Sequence, residues 1–160
     1  MDTQRRKTEE ALQRYGKAIM HLAWSYLHNR ADAEDVLQET MIRYLQSRKT
    51  FEDENHEKAW LLTVAANLCK NMLRSRSHEG GEIPESLEGK GIPEEAIAVY
   101  EAVCSLPEKY REVIHLFYYE DASVAEISGI LGKKESTIRS LLKRARAMLE
   151  KMLVDEGAAF

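Results

Sequence analysis

Apolar residues in the first half of the chain recur at threes and fours, the period of a helix with one buried face rather than that of a strand. Between Lys7 and Leu27 they are Leu12, Tyr15, Ile19, Leu22 and Tyr26, which predicts a first helix. His28-Asn29-Arg30 breaks the pattern. A second helix then starts at Asp32, where early acids suit the positive end of the helix dipole, and Val36, Leu37, Thr40, Met41, Tyr44 and Leu45 form its buried face. Ser47 to Glu57 has no period and reads as a loop with one aromatic, Phe51, longer than packing alone requires. A third helix, Lys58 to Arg76, turns Trp60, Leu61, Val64, Ala65, Leu68, Met72 and Leu73 inward. Its other side carries Thr63, Asn67, Lys70, Asn71 and Arg74. Amides, a hydroxyl and cations on one face, after a loop with an aromatic, resemble a surface for splayed single-stranded bases more than a catalytic pocket.

The periodic pattern stops near Ser77 and resumes at Pro93. Between them stand Gly80, Gly81, Pro84, Gly89 and Gly91 with several glutamates, a composition that cannot build a core. The expected layout is therefore all-α: two small helical domains, 1–79 and 93–160, joined by a flexible linker, 80–92. Pro93 to Cys104 predicts a helix with Ala96, Ile97, Tyr100 and Val103 inward. Leu106-Pro107 opens the next, with proline in the first helical turn, and it runs to about Tyr119, burying Tyr110, Val113, Ile114 and Phe117. His115 is expected at the surface or half-buried, and Tyr118 and Tyr119 in core and edge packing.

The pattern then changes character. Ser123 and Glu126 stand at the capping-box spacing, Val124, Ile127, Ile130 and Leu131 share a face, and Gly132 sits where a helix commonly ends. After a short turn, Ile138, Leu141, Leu142, Ala145, Met148, Leu149 and Met152 form one side of a last helix. Ser136, Arg139, Ser140 and Lys143 centre the opposite side, flanked by Arg144 and Arg146. Capped helix, glycine turn and basic helix read as a DNA-reading helix-turn-helix inside a four-helix C-terminal unit. Arg139, Ser140 and Lys143 would point at base edges while Arg144 and Arg146 reach phosphates.

Charge sharpens that reading. The net charge is −4, yet from Lys133 to Lys151 seven Lys or Arg face only Glu135 and Glu150. A local basic patch on an acidic chain argues against indiscriminate nucleic-acid coating and leaves acidic surface for a protein partner. The two cysteines, Cys69 and Cys104, lie in apolar helical patterns and are expected to be buried free thiols in a reducing compartment. No signal-peptide pattern or membrane-length apolar run occurs, which predicts a cytoplasmic protein without membrane insertion. Residue spacing suggests no metal ligand set, cofactor or small-molecule substrate.

Leu106-Pro107, Arg111-Glu112-Val113, Leu116, Tyr118-Tyr119-Glu120, Glu126-Ile127, Leu131-Gly132, Thr137-Ile138-Arg139-Ser140 and Arg144-Ala145-Arg146 resemble the second conserved domain of bacterial sigma factors of the extracytoplasmic-function group. Asp32-Ala-Glu-Asp-Val-Leu-Gln-Glu39, Trp60-Leu61, Ala65, Asn67, Arg74 and Arg76 resemble the first, in the expected order. The resemblance implies a protein that binds core RNA polymerase, directs it to promoters and opens the duplex there, while polymerase supplies the chemistry. It implies that Asp32, Glu34, Asp35, Gln38 and Glu39 dock on the clamp helices of the largest polymerase subunit, with the flap region as a further contact. Asn67, Lys70, Asn71, Arg74 and Arg76 would hold the non-template strand of the −10 element, with the loop from Ser47 to Glu57 as base-capturing pocket. Ser136, Thr137, Arg139, Ser140, Lys143, Arg144 and Arg146 would engage the duplex −35 element. An anti-sigma partner is a family expectation. Lys133 stands where the family usually has an apolar turn residue, Ser136 where glycine is common and Asn71 where aspartate is frequent.

Two rival classes compete with this reading. A free-standing helix-turn-helix regulator would need a ligand-sensing or dimerising domain, and the first three helices look too small for a ligand cavity. An enzyme would need Asp32, Glu34, Asp35 and Glu39 as metal ligands or acid-base groups. Acids at a helix start are ordinarily dipole-stabilising surface charges, and no histidine stands at a metal-site spacing with them.

Overall fold

Asn29, three residues before the expected start, caps the second helix in the computed structural model of the chain, which describes residues 2–75 and 94–155. Its Oδ1 accepts from the Asp32 backbone N–H at 2.9 Å, so the helix begins at Arg30. All regular structure among the described residues is helical: α1 (Asp2–Leu27), α2 (Arg30–Ser47), α3 (Glu54–Ser75), α4 (Glu94–Ser105), α5 (Glu108–Ile114), α6 (Val124–Leu131) and α7 (Glu135–Asp155). A π-helical turn, His115–Tyr119, continues α5. The helices form two compact units, one built on α1, α2 and α3, the other on α4, α5, α7 and the first part of α6. The expected linker at 80–92, together with Arg76, lies outside the described residues.

In the first unit α1 begins earlier than Lys7 because polar contacts, which leave no apolar period, extend it. Gln4 Nε2 donates to the Tyr44 carbonyl at 3.1 Å, and Thr8 Oγ1 donates to the Gln4 carbonyl at 2.8 Å. The inward stripe is Ala11, Tyr15, Ile19, Leu22 and Tyr26. Leu12, expected in it, is exposed, since Ala11 holds the inward position and places Leu12 one step round the helix. Leu45 departs in the same way on α2: Ala33, Val36, Thr40 and Tyr44 fill the stripe and Leu45 lies outside it, exposed. The expected loop from Ser47 to Glu57 is also shorter, because Asp53 caps α3. Its Oδ1 accepts from the His56 N–H at 2.8 Å and its carbonyl from the Glu57 N–H at 3.1 Å. Leu61, Leu62, Ala65, Ala66 and Cys69 then line the core.

In the second unit Pro107 precedes the helical turn rather than entering it. Its backbone is extended (ψ 148°), and its carbonyl accepts from both Tyr110 and Arg111 N–H. Ala96, expected inward, is exposed at the start of α4, where Tyr100, Ala102 and Val103 make the buried face. The largest departure is His115. It is buried, and its Nε2 lies 3.1 Å from Glu120 Oε2, also buried. The Glu120 N–H reaches the His115 carbonyl, an i to i+5 bond. That wider turn shifts every later side chain off the 100° wheel, bringing Leu116 inside and leaving Tyr118 and Tyr119 exposed. Cys69 is a buried free thiol, whereas Cys104, also free, is half-buried.

Candidate nucleic-acid interface

The strongest local structure surrounds the turn into α7. Ser123 Oγ accepts from the Glu126 N–H at 3.1 Å while Glu126 Oε1 accepts from the Ser123 N–H at 2.8 Å, a complete capping box. Ile127, fully buried, anchors α6 inward. Gly132 closes α6 in the left-handed region (φ 67°), where a side chain would be strained, and Gly132 and Lys133 N–H both reach the Ser128 carbonyl. Ser128 Oγ in turn donates to the Lys133 carbonyl. The chain thus enters α7 along a fixed path.

Along α7, Ile138, Leu141, Leu142, Ala145 and Leu153 are buried. Ser136, Thr137, Arg139, Ser140, Lys143 and Arg144 are all exposed. Arg139 Nη1 sits 3.8 Å from Glu135 Oε1, an exposed pair too weak to hold the guanidinium in place. Arg146 differs from the others. Its Nε donates to the Tyr118 hydroxyl at 2.6 Å, and its guanidinium lies 5.5 Å from the ring centres of both Phe117 and Tyr118. No local pattern announces this capture, because the partners stand 28 residues apart, one on the π-helical turn and one on α7.

The residues singled out on α3 are fewer and more entangled. Asn67, Asn71 and Arg74 are exposed and Lys70 half-buried. Arg74 Nη2 donates to Asn71 Oδ1 at 3.0 Å, and its Nε to the Lys70 carbonyl at 3.4 Å. Ahead of α3, the loop from Arg48 to Asp53 is pinned by Phe51. That ring stacks on Tyr44 (6.0 Å, 12°), tilts against Trp60 (5.9 Å) and meets His56 edge-on (5.3 Å). Lys49 Nζ lies 5.8 Å from the centre of the Trp60 ring. Beneath this cluster the Tyr44 hydroxyl donates to the Glu57 carboxylate. Burial pushes the Tyr44 phenol well above its ordinary range, and the Glu57 hydrogen bond and charge push the same way.

On α2, Glu34, Asp35 and Gln38 are exposed, and Asp32 and Glu39 half-buried. Glu34 pairs with Arg30 and Glu39 with Arg43, each at 3.1 Å. Asp35 and Gln38 share a stripe with Ile42 and Leu45, which are 40% and 41% exposed; spacings of three, four and three keep all four on one face. Ile42 stands outside the apolar period of the sequence, and Leu45 departs from its expected place in the core. Among the described residues no group of three or more His, Cys, Asp or Glu could hold a metal ion, and no helix is long and apolar enough to cross a membrane.

Residues 11–79 match the model of sigma-70 region 2, and residues 96–149 match that of sigma-70 region 4. The ECF RNA polymerase sigma factor SigL of Mycobacterium tuberculosis is 32% identical, over 79% of this chain and 77% of its own length. The chain belongs to the extracytoplasmic-function sigma factors. As a sigma factor of this group it binds RNA polymerase and directs promoter-specific initiation. Another member, SigW of Bacillus subtilis, is 29% identical over 88% of this sigma factor and 86% of its own length. The fold is shared with the sigma factor RpoE of Bartonella quintana, solved in complex with the anti-sigma factor NepR. The TM-score is 0.76 at 24% identity, covering 91% of this chain and 95% of that one. It is shared also with CnrH, solved with the cytosolic domain of CnrY, at a TM-score of 0.73 and 24% identity over 94% and 90% of the two chains.

Proposed function

We propose that this sigma factor divides promoter recognition between its two units. In the C-terminal unit, α7 reads the −35 element as duplex, with Arg139, Ser140 and Lys143 on base edges, Ser136 and Thr137 at the entry of the groove, and Arg144 and Arg146 on phosphates. In the N-terminal unit, α3 and the loop before it hold the −10 element as opened non-template strand, with Asn67, Lys70, Asn71, Arg74 and Arg76 along the strand. The observation that carries this reading is the bare face of α7: a helix locked at its entry and packed on one side, whose opposite face is polar, basic and exposed from Ser136 to Arg144.

The polymerase contact falls on α2. Asp35 and Gln38, with Asp32, Glu34 and Glu39 beside them, meet the clamp helices, and Ile42 and Leu45 extend that stripe with apolar area that a partner would bury. The flap region fits an apolar cleft of about 640 Å³ whose lining includes Val99, Val103, Ile114, Leu149, Arg146 and Glu150; an amphipathic helix suits such a groove. Competition for these surfaces is the natural mode of action for an anti-sigma protein, the kind of partner named in the RpoE complex. Duplex opening needs no bond chemistry here: capture of an unstacked base offsets a melting cost of a few kcal/mol.

Reconstituted transcription on a fragmented genomic library tests the reading. Core polymerase plus this protein is expected to yield start sites that share two upstream elements, absent with core alone. Start sites identical to the core-only control would refute it, and tight duplex binding with no gain from polymerase would favour a free-standing regulator.

A further inference from the structure

Lys133 is the cation of the basic segment that pairs with a buried carboxylate. It follows Gly132 in the turn between α6 and α7. Its ammonium lies 3.4 Å from Glu112 Oε1, and the Glu112 side chain is only 2% exposed against 33% for Lys133. Glu112 sits in α5, packed beside Val113 and Ile114, which are also buried. A carboxylate taken out of water needs compensating partners, and Lys133 supplies one of them.

The backbone of the same residue is fixed from the other side. The Lys133 N–H reaches the Ser128 carbonyl at 3.2 Å, and its own carbonyl accepts from Ser128 Oγ. One residue is therefore tied to α6 through its main chain and to α5 through its side chain. Two positions later α7 begins, and its first two turns carry Ser136, Arg139 and Ser140.

The geometry points to Lys133 and Glu112 as positioning residues: a lock between α5 and the turn that sets the angle at which α7 enters the groove. This rests on the assignment of α7 to the −35 element. Lys133 then contributes to promoter choice through orientation and not as a phosphate contact, because Glu112 already neutralises it. A buried polar partner can fix one arrangement at some cost in stability, and a lock suits this turn because no side chain holds Gly132. Base readout needs hydrogen bonds aligned within a few tenths of an ångström, so a small change of entry angle acts on specificity before it acts on affinity.

The test uses the full chain with core polymerase and, as probe, a duplex fragment bearing the strongest start site from the library experiment. A wild-type protein that produces no start site refutes the promoter-reading assignment itself. With an active wild type, Lys133→Met and Glu112→Gln are each expected to reduce discrimination between the intact fragment and one with a scrambled −35 element about tenfold. Core binding by the folded protein and the slope of log affinity against log salt stay near wild type. Lys133→Arg keeps discrimination, and the double variant Glu112→Gln/Lys133→Met is no worse than the poorer single. A fall in salt slope of about 0.9 in Lys133→Met, with discrimination intact in Glu112→Gln, would make Lys133 a phosphate contact and overturn the lock; so would additive losses in the double variant. Should Glu112→Gln fail to fold, Lys133→Met against Lys133→Arg decides by the same two readouts.

Discussion

The faces of α7 and α3 both carry cations and small polar groups, yet they are built differently. On α7 the exposed residues stand on a helix whose entry is fixed by a capping box, a left-handed glycine and two bonds to Ser128. They make few contacts with one another. On α3, Arg74 bonds both Asn71 and Lys70, and the distinctive feature lies ahead of the helix, in a short loop pinned through an aromatic ring. A duplex presents base edges at fixed positions, so its reader gains from rigid side-chain origins. A single strand brings its own flexibility and offers ring faces, so its reader gains from a shaped loop and aromatic surface. The difference between the faces is the difference between their proposed ligands.

The largest expected effect comes from stripping the duplex reader. Arg139→Ala combined with Lys143→Ala is expected to weaken −35-dependent initiation about 100-fold, from a base contact of about 1–3 kcal/mol and the charge beside it, while core binding persists. Loss of core binding in a folded double variant would assign α7 a different task. Next is Phe51→Ala. It removes the ring that joins the loop to Tyr44 and Trp60, costs about 2–3 kcal/mol of stability in the N-terminal unit, and should slow promoter opening while leaving −35 binding alone. Equal loss of −35 binding in a footprint would erase the division of labour. Ser123→Ala should cost about 1 kcal/mol by removing one arm of the capping box, read as a shift in thermal midpoint.

Alkaline pH sharpens the comparison without mutation. Burial raises the Tyr44 phenol in the first unit and the Tyr100 phenol in the second. Because the folded values exceed the unfolded one, the stability each contributes is complete below about pH 10 and is lost as pH rises beyond it. Both units should therefore lose thermal stability above that pH. Ultraviolet titration should show these two tyrosines ionising only as the units unfold; ionisation of all seven tyrosines in one step with the fold intact would contradict their burial.

Much of this was legible from spacing alone. The faces of α7 follow from residues at 100°, and Ser123, Glu126 and Gly132 announce their roles because cap and left-handed turn each demand particular residue types. Asn29 and Asp53 were harder to see as caps, since a lone Asn or Asp is equally at home in a loop. Leu12 and Leu45 were misplaced because alanine and threonine can hold an inward position as well as leucine does, and a period read from large residues alone drifts by one. His115 could not be placed on a wheel of 3.6 residues, since the π-helical turn abandons that period. The capture of Arg146 by Tyr118 and the pairing of Lys133 with Glu112 join distant segments, and no local pattern encodes them.

Photo-crosslinking in the open complex tests the division of labour most directly. A photoreactive phenylalanine analogue is placed at Phe51 in one protein and at Lys143 in another, each assembled with core polymerase on an active promoter. The Phe51 position is expected to crosslink to unpaired non-template strand near −10, and the Lys143 position to duplex near −35. Crosslinks from Phe51 to protein alone, or from both positions to the same duplex segment, would contradict it.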